Sequence, residues 1–67
     1  MINFVKAVTI NKYGKGYHKV RFGEECPCKT ASEAVRKIAQ DARAKHETLG
    51  RIEFWYDQDE AAWKKLG

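Results

Sequence analysis

The chain reads as an α+β domain, an antiparallel sheet in β-β-α-β order with one helix packed on one face. Three observations predict this. Apolar residues alternate at period two over Ile2 to Lys12, Tyr17 to Phe22 and Arg51 to Tyr56. Between the second and third of these runs, apolar residues recur three and four apart, directly behind Thr30-Ala31-Ser32-Glu33. Finally, 67 residues hold a single domain, 1–67, with one thin core.

In the first strand Ile2, Phe4, Val8 and Ile10 share one face and Val5, Ala7 and Thr9 the other. Lys6 interrupts the first set, which an edge position or a bulge would accommodate. Tyr13-Gly14-Lys15-Gly16 supplies glycines for a hairpin turn. In the returning strand His18, Val20 and Phe22 alternate with Tyr17, Lys19 and Arg21. Gly23 to Lys29 is a loop broken by Pro27.

Thr30 and Glu33 have the form of a capping box, with the Thr30 hydroxyl on the Glu33 amide and the Glu33 carboxylate on the Thr30 amide. Ala31, Ala34, Val35, Ile38, Ala39 and Ala42 then form a narrow apolar stripe, and Leu49-Gly50 is expected to close the helix. The third strand sets Ile52, Phe54 and Tyr56 against Glu53 and Trp55. In the tail, Asp57 and Glu60 resemble a second capping box before a short helix carrying Trp63; a fourth strand through Trp63 is the alternative. The alternation predicts Phe4, Val8, Ile10, Val20, Phe22, Ile38, Ile52 and Phe54 as core.

Charge is unevenly placed. The net charge is +4, yet residues 1–23 carry five cations and no acid, while residues 24–67 carry eight basic and nine acidic residues. A one-signed segment attracts anionic partners and weakens with salt. The plainer account is a solvated edge, where lysines discourage sheet-to-sheet association.

If the helix covers one face, the other should carry Val5, Thr9, Tyr17, Lys19, Arg21 and Trp55, with Lys12, Tyr13 and Lys15 at the sheet's end. The candidate partner-binding residues are accordingly Lys12, Tyr13, Lys15, Tyr17, Lys19, Arg21 and Trp55. Rings stack on bases while cations neutralise phosphates. The same composition suits a protein interface, where tyrosine, tryptophan and arginine dominate the energetics.

Other chemistry finds little footing. Cys26 and Cys28 flank Pro27 too closely for a favourable disulfide or for the usual spacing of a structural zinc pair, and His18 and His46 are not spaced to complete one. Glu24 and Glu25 would raise the Cys26 thiol pKa and disfavour a nucleophile. Asp57, Asp59 and Glu60 suit a helix start better than a hard-metal site. No catalytic residues, metal or cofactor are expected, and a chain this small has little room for a walled substrate pocket. No apolar run approaches the ~20 residues of a membrane helix and no signal peptide is evident, so a cytoplasmic setting is expected.

The capped helix Thr30-Ala31-Ser32-Glu33-Ala34 continuing to Ile38-Ala39, the strand opening Arg51-Ile52-Glu53, and the tail with Tyr56 and Trp63 resemble small phage-encoded anti-CRISPR proteins, inhibitors of type I systems. The resemblance covers about the last forty residues. It implies a non-catalytic inhibitor that binds a protein or ribonucleoprotein partner, such as a CRISPR surveillance complex in the host cell interior, and blocks nucleic-acid recognition. The basic hairpin departs from inhibitors that mimic DNA with carboxylates, so it would meet an acidic protein surface or nucleic acid directly. A small DNA- or RNA-binding module using the same hairpin is the alternative.

Overall fold

Strand β1 (Ile2–Asn11) lies between β2 (Gly14–Phe22) and β3 (Thr48–Gln58) and runs antiparallel to both. Helix α1 (Ala31–Ala44) connects β2 to β3, and a short helix α2 (Glu60–Lys65) follows, giving β-β-α-β-α. This is a computed structural model, and it describes residues 1–66. Among these, three strands make one sheet, and the tail is a helix rather than a fourth strand.

The central place of β1 follows from its being apolar on both sides. Val5 and Ala7 are buried under α1 and form the core with Phe22, Cys28, Ala34 and Ile38, with Val20 and Leu49 against its margin. Phe4 is fully buried on the opposite side, where α2 covers it. The two faces are therefore assigned differently from the alternation reading. Asn11 pairs with Gly14 across a two-residue turn, so Val5 stands opposite Val20 and Phe4 opposite Arg21. Directly opposed residues share a face, which puts the Phe4 side of β1 with Tyr17, Lys19 and Arg21. Val5 and Thr9, expected on the open face, lie instead on the α1 side and are buried.

Three expected core residues are exposed. Ile10 is on the Phe4 side beyond the reach of α2, and Ile52 and Phe54 are on β3, where α1 leans toward β2 and β1. Val8 is half-buried.

The helix caps also differ in detail. Thr30 Oγ1 accepts from the Glu33 amide as expected, at 3.3 Å, but the Glu33 carboxylate accepts from the Lys29 amide rather than that of Thr30. The helix ends before Leu49-Gly50. His46 adopts φ 56° at the position usually given to glycine, and the Glu47 amide donates to the Ala42 carbonyl at 2.8 Å, closing a Schellman turn. Gly50 instead lies inside β3, where a Cβ would sit 3.4 Å from the Val8 carbonyl oxygen. Asp59, not Asp57, caps α2, its carboxylate accepting from the Ala62 amide at 2.9 Å.

A six-residue helix has little stability of its own, so α2 depends on what it packs against. Its anchor is Trp63, edge-on to Phe4 at 5.2 Å, with Trp55 stacked on the same Phe4 at 5.6 Å. Trp63→Ala is expected to cost about 2 kcal/mol, less than for a fully buried ring, and to lower the thermal midpoint by roughly 10 °C. Circular dichroism melting measures this; an unchanged midpoint would mean α2 is not part of the cooperative unit.

Candidate nucleic-acid interface

The seven candidate residues divide into two groups. Lys19, Arg21 and Trp55 sit at the α2 end of the sheet and are engaged within the chain. The Lys19 ammonium lies 4.1 Å above the Trp63 ring and donates to the Trp63 carbonyl at 2.6 Å. The Arg21 guanidinium is 4.7 Å from the same ring and pairs with Glu60 at 3.2 Å. Trp55 is half-buried between Phe4 and Glu53, to which its indole N–H donates at 3.2 Å. Lys19 and Arg21 hold α2 against the sheet and Trp55 packs on Phe4, which leaves the three little freedom to meet an outside molecule.

Lys12, Tyr13, Lys15 and Tyr17 gather at the hairpin end and are exposed. The turn is set by Asn11, whose side-chain oxygen accepts from the Tyr13 amide at 2.8 Å, and Gly14 supplies the positive φ that begins β2. Tyr13 is 86% and Tyr17 42% exposed, so both rings present apolar area to solvent. An ammonium stands by each, Lys12 at 5.1 Å from the Tyr13 ring and Lys6 at 5.0 Å from the Tyr17 ring. None of Lys6, Lys12 and Lys15 is in an ion pair among the described residues.

Three contributors were not among the sequence candidates. Lys6, an anomaly on an apolar face, becomes a neighbour of Tyr17 once the β1–β2 register is known. Lys45 and His46, at the end of α1, line a shallow cleft of about 410 Å³ with Asn11, Lys12 and Tyr13. Only the basic pair at the helix end marked them in the sequence.

Beneath this end, His18 Nε2 donates to Glu47 Oε1 at 2.8 Å and Asn11 Nδ2 donates to Glu47 Oε2 at 3.3 Å. The contact ties both hairpin strands to the turn after α1. The His18 hydrogen bond, aided by the nearby charges of His18 and Lys45, holds the Glu47 carboxyl below its ordinary 4.5, against a smaller opposing effect of burial. Cys26 is half-buried and Cys28 buried against the core, at the other end of the molecule. No three metal-ligating side chains cluster among the described residues, and no helix there is long and apolar enough to cross a membrane.

No protein-family model, curated protein or solved structure matches this chain significantly.

Two outcomes follow from this geometry. Replacing Lys19 and Arg21 together by alanine should lower the thermal midpoint by several degrees, since α2 loses two cation–π contacts of about 0.5–1 kcal/mol each. The same change at Lys12 and Lys15 should leave it nearly unmoved; equal effects would contradict the division. For Glu47, a lowered folded pKa means its contribution is complete above pH 4.5 and is lost as pH falls below that toward the folded value. Glu47→Gln should therefore flatten the decline of the thermal midpoint on acidification, and an unaltered decline would exclude this carboxylate as its source.

Proposed function

We propose that this chain is a non-catalytic binding domain that engages single-stranded nucleic acid, free or held in a ribonucleoprotein, through its hairpin end. The observation that carries the reading is the pairing of unneutralised lysines with exposed tyrosine rings at one end of the sheet. Such an end offers ring faces to bases and ammonium groups to phosphates. Arg21, Trp55 and Trp63, of residue types that often anchor protein interfaces, are engaged within the chain instead.

A second reading is the phage-type inhibitor, in which the same end meets an acidic protein surface of a surveillance complex and blocks nucleic-acid recognition. Ile10, 41% exposed, and half-buried Val8 on the same face favour it, because phosphate binding has no use for aliphatic area. Both readings place the protein's work inside a cell, where nucleic acid and such complexes are found.

Titration of a fluorescent oligothymidine by anisotropy tests the first reading. Affinity should fall log-linearly with salt, with a slope of about −0.7 per phosphate neutralised. Lys12→Ala, Lys15→Ala and Lys45→Ala combined should weaken binding at least tenfold and make the slope shallower, with the fold retained. Binding that is absent at low salt, or indifferent to the triple substitution, would reject the nucleic-acid reading and leave the inhibitor, whose acidic-surface contact is less steeply salt-dependent.

A further inference from the structure

We propose that the free edge of β3 is a self-association surface, pairing antiparallel with β3 of a second copy about a two-fold axis at Phe54 to give a six-stranded sheet.

The sheet has two open edges, and they differ in what they tolerate. The β2 edge carries Lys15, Lys19 and Arg21 with no acid, so two copies brought together there would set like charges side by side. The β3 edge carries Arg51, Glu53 and Asp57, close to neutral and of mixed sign. On its α1 side it presents a run of apolar residues that α1 leaves uncovered: Ile52 is 37%, Phe54 50% and Tyr56 55% exposed.

The sequence of this strand is complementary to itself. Pairing Phe54 with Phe54 of the second copy places Ile52 opposite Tyr56 on the apolar side and Glu53 opposite Trp55 on the other. Apolar area would meet apolar area along one side, and no like charges would be directly opposed. Only this parity keeps the two apolar sets on one face, because a one-residue slip would turn one of them to the other side. Register irregularities on either side of the Ile52–Trp55 run restrict the pairing to a short stretch centred near Phe54. The arrangement also sets the two β2 strands at opposite ends of the combined sheet, as far apart as the geometry allows, so the basic hairpins do not oppose it. An interface this small falls in the weak, reversible class. It uses none of the proposed nucleic-acid-binding residues and stands apart from that reading.

Sedimentation velocity without nucleic acid, from about 10 µM to 1 mM, should show a monomer–dimer equilibrium, a range suited to weak association. Phe54→Lys should keep the far-ultraviolet spectrum and remain monomeric throughout. Should that variant fail to fold, cysteine cross-linking in a Cys26→Ser background decides the matter. Phe54→Cys should form a covalent dimer on mild oxidation, since residues directly opposed have Cβ atoms about 4.5–5.5 Å apart. Ile52→Cys should not, as its symmetry mate would lie about 13 Å away along the strand. A wild-type chain monomeric over the whole range, association unaffected by Phe54→Lys, or equal cross-linking at both positions would each overturn the proposal.

Discussion

A three-stranded sheet has two faces to cover, and the described residues offer one long helix with which to do it. α1 buries the side formed by Val5, Ala7 and Phe22. The other side holds Phe4, fully buried although the helix above it, α2, is six residues long. What closes that side is a stack of rings and cations: Trp55 and Trp63 against Phe4, with Lys19 and Arg21 over Trp63. The Lys19 ammonium and the Arg21 guanidinium contribute through their attraction to the ring face. Cover is therefore obtained without a second large helix.

That economy decides which cations are left over. Because α2 reaches only part of the second face, the hairpin end retains Lys6, Lys12, Lys15 and the two tyrosines at the surface. The turn after α1 then brings Lys45 and His46 to the same end, held by the Glu47 contacts with His18 and Asn11. One positively charged segment is thereby split into a structural half and a free half. The functional reading rests on the free half alone.

The sequence discloses the secondary structure more readily than the faces. Thr30 and Glu33 mark the start of α1, the glycines after Tyr13 mark the hairpin, and Trp63 signals a tail that packs. Face assignment fails because β1 is apolar on both sides, so alternation cannot say which side meets the helix. The two-residue turn settles this through register, and a parity difference of one residue moves Val5 and Thr9 from the open side to the core. The end of α1 is hidden for another reason: a histidine adopts the left-handed conformation that glycine usually signals. Ile52 and Phe54 look like core because their pattern is that of a half-buried strand; only the lean of α1 toward β2 leaves them in solvent.

The division of the cations is the claim on which the functional account depends, and an amide-resolved nuclear magnetic resonance titration with oligothymidine tests it most directly. The account predicts shift changes confined to the hairpin turn, Tyr17 and the Lys45–His46 turn, with Lys19, Arg21 and the Trp63 indole unmoved. Changes centred on Trp63 and Arg21 instead, with a silent hairpin end, would contradict it.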